Sequence, residues 1–270
     1  MKDCMVIRVK SIATRRWGHT MLSEAVLRSL YLDLMQKCLT NTIYEDIPQD
    51  QWSGGTYNPE LRERGLDWPS KAHTMIGNKR LANVKKLIEY IITYQIPGDL
   101  IETGVWRGGA CIYMRALLKA YGVNNRVIWC ADSFEGLPRP DAERFPQDAG
   151  DIHHTYTPLK ISLEEVKANF AKYDLLDEQV RFLKGWFKDT LAHVPIEHLS
   201  LLRVDADMYQ STTEALTYLY PKVSPGGFII IDDYGVLPGC RAAVNDFRSR
   251  CTIRDPLQNI DGVGVFWQKS

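Results

Sequence analysis

The chain carries no excess charge: 33 basic and 33 acidic residues cancel. No global field therefore draws it to nucleic acid or to an anionic membrane surface. It has no apolar run near the ~20 residues that a bilayer span requires. The basic residues Lys2, Arg8, Lys10, Arg15 and Arg16 have no apolar core beside them, so the N-terminus does not read as a secretory signal. The six cysteines form no CxxC pair and no regular spacing, and the expected compartment is a reducing cytoplasm. Missing motifs narrow the chemistry further. Without GxGxxG a nicotinamide dinucleotide has no fingerprint, without GxxxxGK[ST] there is no P-loop, and without GxSxG nucleophilic hydrolysis has little support. There is no internal repeat and no low-complexity segment.

What is present is concentrated at two places. Leu202-Arg203-Val204-Asp205-Ala206-Asp207-Met208-Tyr209 and Ile229-Ile230-Ile231-Asp232-Asp233-Tyr234 are apolar runs that end abruptly in carboxylates. Such runs suit strands buried on both faces of a parallel sheet, and ligands sit beyond the carboxyl ends of those strands. If the two strands are neighbours, Asp205, Asp232 and Asp233 share one crevice. Carboxylates crowded together need a cation or shared protons, and an oxygen-only set favours a hard ion such as Mg2+. Taken singly, any one Asp reads as a helix cap; the two strand-end clusters together read as a site.

Along the chain, residues 1–20 read as a poorly ordered N-terminus. Ser23 to Leu39 predicts an amphipathic helix with Ala25, Val26, Leu30, Leu34, Met35 and Cys38 as its apolar positions. The segment 40–70 is rich in breakers, with Trp52, Tyr57 and Trp68 embedded in it, and reads as a lid or as a strap against the core. Helices are predicted over Thr74–Tyr94, Ala110–Tyr121, Ser162–Tyr173, Thr212–Tyr220 and Arg241–Arg250. Ser162 with Glu165 makes a capping box for the third of these. Strands are predicted from Asp99, over Val127–Ala131, Val180–Leu183, Leu199–Val204 and Phe228–Ile231, with a last apolar strand at Gly264–Trp267. The alternation predicts an α/β fold with a doubly wound, mostly parallel sheet and an N-terminal helical arm. Residues 138–157 are predicted to be a long loop that, with 40–70, lines an acceptor pocket.

The first strand turns into its helix through Glu102-Thr103-Gly104-Val105-Trp106-Arg107-Gly108-Gly109. Glycines there let a ligand approach the backbone, and the helix N-terminus favours a negative group. Asp132 ends the second strand, placed to accept hydrogen bonds from ribose hydroxyls. Gly185-Trp186 follows the third, where the indole serves either as a flat wall for an adenine or as a core side chain. His153 and His154 are adjacent, and the reading adopted for them is a solvated loop pair.

Together, several stretches resemble the macrocin O-methyltransferase family: Asp67-Trp68-Pro69, Ala72-His73-Thr74-Met75-Ile76-Gly77, Gly98 to Gly109, Ala131-Asp132-Ser133-Phe134-Glu135-Gly136-Leu137-Pro138, Gly185-Trp186-Phe187-Lys188-Asp189-Thr190 and Asp232-Asp233-Tyr234. The resemblance runs from about Leu32 to the C-terminus. It implies a class I, Rossmann-like methyltransferase using S-adenosylmethionine and Mg2+ on a hydroxyl of a sugar-bearing natural product. It further implies Asp205, Asp232 and Asp233 as metal ligands, and Asp205 as the catalytic base with Asp207 second. It implies Trp68, Met75, Glu102, Thr103, Gly104, Gly108, Asp132, Ser133, Gly185 and Trp186 at the cofactor. The expected organisation is a helical arm and lid over 21–95 and a cofactor-binding catalytic domain over 96–270, packed as one unit. Relatives' habits imply a homo-oligomer, a dimer or higher. Where the family reads Asp-Gly-Asp this chain has Asp205-Ala206-Asp207. The alternative function is a non-catalytic nucleotide-binding protein on the same fold.

Overall fold

The computed structural model describes residues 22–270, so the stretch expected to be poorly ordered, 1–20, lies outside the described residues. Strands β1 (Asp99–Thr103), β2 (Ile128–Asp132), β3 (Val180–Lys184), β4 (Leu199–Val204), β5 (Val223–Ile231), β6 (Gln258–Asn259) and β7 (Val265–Gln268) form one sheet in the order β3-β2-β1-β4-β5-β7-β6. Strands β1 to β5 are parallel, and β7 returns antiparallel to β5 with β6 antiparallel to it. The doubly wound expectation holds, with the terminal segments added at one edge. Every residue of β4 is buried, as a central strand covered on both faces must be.

Helices α1 (Glu24–Leu39), α2 (Pro59–Arg64), α3 (Gly77–Thr93), α4 (Gly109–Ala120), α5 (Leu163–Ala171), α6 (Phe187–Thr190), α7 (Tyr209–Leu219) and α8 (Pro238–Arg250) cover the sheet. One face packs against α1, α3, α4 and α5 through Leu32, Leu81, Ile88, Leu117 and Phe170. The other packs against α6, α7 and α8 through Leu216, Val244 and Trp267. Among the described residues no helix is long and apolar enough to cross a membrane.

Several boundaries depart from the sequence expectation for definite reasons. Helix α7 starts at Tyr209, not Thr212, because Asp148 from the 138–157 loop accepts the backbone N–H groups of Tyr209 (2.6 Å) and Gln210 (2.9 Å). That cap is remote in sequence, so no local pattern announces it. Helix α2 interrupts the breaker-rich segment. Asn58 caps its first turn, Pro59 takes the position where a missing N–H costs nothing, and Gly65 closes it with φ 59°. The predicted apolar face of α1 is mostly not the buried one. Leu32, Met35 and Leu39 are buried, whereas Val26, Leu30 and Leu34 are about half exposed. Arg28 turns the helix by donating to the Ala120 carbonyl and stacking over Tyr121.

The 40–70 segment is tied down by one guanidinium. Arg62, 1 % exposed, donates to Asp67, Asp46 and the Thr40 and Asp46 carbonyls. This hub fixes the segment against the core and still lets Trp52 and Trp68 overhang the carboxyl ends of the strands.

Candidate active site

Strand order reverses between β1 and β4, so the connections leave in opposite directions and open a crevice beyond the strand ends. A cavity of about 630 Å³ lies there, within the usual range for small-molecule sites. Trp68, Met75, Gly104, Asp132, Ser133, Gly185, Trp186, Asp205, Asp232 and Asp233 all line it. Glu102, Thr103 and Gly108 do not. Glu102 and Thr103 are buried within β1, and Gly108 caps α4 against Val166. They shape the turn from behind.

Gly104 is required by geometry. Its φ is 86°, and a Cβ added there would stand 1.7 Å from the Asp205 carbonyl oxygen. That closeness keeps the ends of β1 and β4 together and the floor of the cavity bare. Asp132 accepts from the backbone N–H groups of Val105 (2.8 Å) and Phe134 (2.7 Å). It binds both loops while leaving lone pairs for a ligand hydroxyl. Trp186, at the start of α6, is half-buried and lines the cavity, so it is not a core side chain.

Beyond β4 and β5 the acidic groups converge. Val204 pairs with Ile231, so Asp205 and Asp232 leave adjacent strands side by side. Asp205, Asp207 and Asp233 each present an oxygen within 4.8 Å of the others. Asp232 is not in that trio: its two oxygens accept from Arg80 and Arg203. The turn through Asp205-Ala206-Asp207 needs no glycine, because the left-handed residue is Asp207 with φ 57° and Ala206 packs its methyl into the core. Burial, then the neighbouring Asp205 charge, pushes the Asp207 carboxyl up to about 7. Burial and the neighbouring aspartates also raise Asp205 and Asp233. The Oδ2 atom of Asp233 is buried without a partner. The set is all oxygen, crowded and under-neutralised, which suits a hard divalent cation.

Two arginines support this cluster, and sequence reasoning assigned neither a role. Arg203, fully buried on β4, reaches Glu102, Asp205 (2.8 Å) and Asp232. Arg80 on α3 reaches Asp232 and also donates to the Gly65 carbonyl at 2.8 Å, linking the cluster to the end of α2. The signal for Arg203 was present: a lone arginine among the leucines and valine of a buried strand must meet buried acids. Glu102 is pushed up to about 7, chiefly by burial, although Arg203 opposes the rise. Its other oxygen accepts from Cys111 Sγ at 2.8 Å, which leaves Cys111 a core residue as expected.

The reading of His153 as half of a solvated pair is corrected. His153 lines the cavity, and its Nδ1 lies 2.8 Å from Asp151. An aromatic series joins lid and loop: Trp52 to Trp68 (4.9 Å), Trp68 to Tyr156 (5.6 Å) and Tyr156 to His153 (5.5 Å), each edge to face. The 138–157 loop also supplies Pro138, Arg139, Asp141 and Arg144 to the cavity.

Residues 28–269 match the family described as macrocin-O-methyltransferase (TylF). A demethyldecarbamoylnovobiocin O-methyltransferase from Streptomyces niveus is 52% identical over 249 residues, 90% of this chain and 94% of that protein. A mycinamicin III 3''-O-methyltransferase from Micromonospora griseorubida is 48% identical over 246 residues, 89% of this chain and 96% of that protein. Among solved structures, that of the O-methyltransferase NovP has a TM-score of 0.86 at 51% identity, covering 90% of this chain and 99% of its own.

Proposed function

Because this chain belongs to the macrocin O-methyltransferase family, we propose that it moves the methyl group of S-adenosylmethionine to a sugar hydroxyl of a glycosylated natural product, with Mg2+ assisting. Family and fold make it an O-methyltransferase of the class I, Rossmann-like kind. The observation that carries the finer reading is that one cavity wall holds both a nucleoside-type cradle and a carboxylate trio.

On the donor side, Asp132 is assigned to the ribose hydroxyls and Trp186 to the adenine face. Gly104 and Gly185 leave backbone exposed, Ser133 fixes the loop after β2 by donating to the Gly136 carbonyl at 2.6 Å, and Met75 and Trp68 close the cavity from the lid. On the acceptor side, Asp205 and Asp233 are assigned to the cation. Asp207 is the third carboxylate as the side chains stand, and Asp232 joins only by exchanging an arginine contact. When bound, the sulfonium supplies an electrophilic methyl carbon and the magnesium a positive charge that polarises the acceptor hydroxyl. The chain itself orients: Asp205 and Asp233 fix the acceptor oxygen, while Asp132 and Trp186 hold the donor, so that the reacting atoms meet in line. The test is incubation with S-adenosylmethionine, Mg2+ and, in turn, demethyldecarbamoylnovobiocin and mycinamicin III, which the two relatives' names specify. A mass gain of one methyl group on either glycoside supports the reading; S-adenosylmethionine left unconsumed with both, and with other glycosides of deoxysugars, opposes it.

The chain is also proposed to assemble as a homo-oligomer. Val26, Leu27, Leu30 and Leu34 leave an apolar strip exposed along α1, the kind of surface that a second copy can cover. Light scattering over a concentration series is expected to give a mass of two or more chains. Replacing Leu30 and Leu34 by glutamate is expected to bring that mass to one chain.

A further inference from the structure

We propose that Asp148 is a positioning residue for the acceptor: its carboxylate latches the 138–157 loop onto the helix that follows the carboxylate turn, and so sets the loop's wall of the cavity against Asp205 and Asp207. The proposal rests on the methyl-transfer reading above. Helix α7 starts at Tyr209, and the residue at its N-cap is Met208, whose side chain accepts no bond from the first-turn N–H groups. Asp148, 3 % exposed, supplies what Met208 lacks. One carboxylate oxygen accepts from the Tyr209 N–H at 2.6 Å and the other from the Gln210 N–H at 2.9 Å. Both are charge-assisted bonds, buried and at the positive end of a helix. The fit is close on the far side too. A Cβ on Gly239, in the first turn of α8, would stand 3.1 Å from Asp148 Oδ1 and 3.2 Å from the Tyr209 nitrogen. Loop, α7 and α8 meet at one carboxylate.

These two bonds hold the middle of the loop. Among the described residues, every other hydrogen bond made by residues 138–157 stays within 138–160. Elsewhere the loop meets the chain through side-chain packing, such as Tyr156 against Trp68 at 5.6 Å and Phe145 against Tyr209 at 6.2 Å. Its cavity-lining residues lie on both sides of the latch: Pro138, Arg139, Asp141 and Arg144 precede it and His153 follows it. A displaced Asp148 therefore moves the whole wall. The other end of the latch is as close to the chemistry. Asp205, Ala206 and Asp207 lead directly into α7, with Asp207 in left-handed backbone at φ 57° and the Met208 N–H donating to the Ala206 carbonyl at 2.6 Å. One side chain thus fixes the loop that meets the acceptor relative to the carboxylates assigned to orient its hydroxyl. The donor cradle is independent of it: Asp132 is held by the N–H groups of Val105 and Phe134. Loss of the latch should cost acceptor binding and spare the donor.

The test uses the full chain with S-adenosylmethionine, Mg2+ and whichever of the two glycosides the wild type methylates best. Asp148→Ala is expected to raise KM for the glycoside by about tenfold or more, the scale of a lost charge-assisted hydrogen bond. Its kcat at saturating glycoside is expected to stay within about threefold, because the loop holds the acceptor alike in ground and transition states. KM for S-adenosylmethionine is expected to stay within about twofold, as for a distant, independent site. Asp148→Asn keeps one accepting oxygen and is expected to fall between wild type and Asp148→Ala; it carries the same comparison if the alanine variant does not fold. Ser162→Ala is the control for a lost helix cap, since Ser162 Oγ accepts from the Glu165 N–H at 3.1 Å at the start of α5, outside the cavity lining. It is expected to leave both KM values unchanged. Independently of activity, hydrogen–deuterium exchange is expected to quicken in the loop and the first turn of α7 in Asp148→Ala, with β1 and β2 as in wild type. Both KM values rising together, a glycoside KM at the wild-type value, or unchanged exchange would overturn the proposal. If the wild type methylates neither glycoside, the transfer reading fails instead, and the exchange still decides whether Asp148 holds the loop.

Discussion

Asp205→Asn is expected to abolish measurable turnover, lowering methyl transfer by about a thousandfold or more, the scale of losing both orientation and charge stabilisation at the reacting oxygen. The substitution is close to isosteric, and the backbone N–H of Asp205 remains bonded to the Thr103 carbonyl at 2.9 Å. The fold should therefore survive. The donor cradle of Gly104, Asp132 and Trp186 is untouched, so S-adenosylhomocysteine affinity by calorimetry should stay within about twofold. Mg2+ affinity should fall, because one of the two carboxylates assigned to the cation is gone. Asp207→Asn and Asp232→Asn then sort the third ligand: the variant that weakens Mg2+ more identifies it. Turnover within tenfold of wild type in Asp205→Asn would remove this residue from the centre of the mechanism.

The second large effect concerns stability. Arg203→Met is expected to destabilise the protein by about 3–5 kcal/mol, the usual cost of removing one partner from a buried ion-pair cluster. Glu102 and Asp232, only 2 % exposed, would each lose a buried guanidinium contact. The loss should depend on pH with a definite sign. Glu102 has a folded pKa of about 7 against an ordinary 4.5. Between those values the folded state binds a proton that the unfolded state does not, so this group's contribution to stability falls as pH rises. Without Arg203 the folded value moves higher still and the window extends upward. The Tm gap between variant and wild type should accordingly widen from pH 5 to pH 8. Adding Glu102→Gln to Arg203→Met should close part of it, because the uncompensated charge is then absent. A variant as stable as wild type at pH 8 would contradict this account of the cluster.

What could be read from the chain depended on whether the cause of a feature was local. The strand ends at Asp205 and Asp232-Asp233 were legible because an apolar run followed by carboxylates is a local pattern with few structural meanings. The doubly wound, mostly parallel sheet followed from the βα alternation. The start of α7 was not legible, since Asp148 caps it from a distant loop. The buried face of α1 was misread for a similar reason. Its apolar positions suggested one stripe, while docking against α4 and the Arg28–Tyr121 contact chose another. His153 looked like a loop histidine because the partner that defines it, Asp151, acquires meaning only once the loop folds over the cavity. The family resemblance named Glu102, Thr103 and Gly108 as cofactor neighbours. In the structure these three are buried behind the turn and do not line the cavity.

The most direct measurement uses S-adenosylmethionine carrying a 13C methyl group, the wild-type chain, Mg2+ and the accepted glycoside, with the product read by carbon–proton correlation NMR. The account predicts a labelled methoxy group correlated to a ring carbon of the sugar, its formation halted by excess chelator and resumed on adding Mg2+. A label on the aglycone or on nitrogen, or an unchanged rate in chelator, would contradict it.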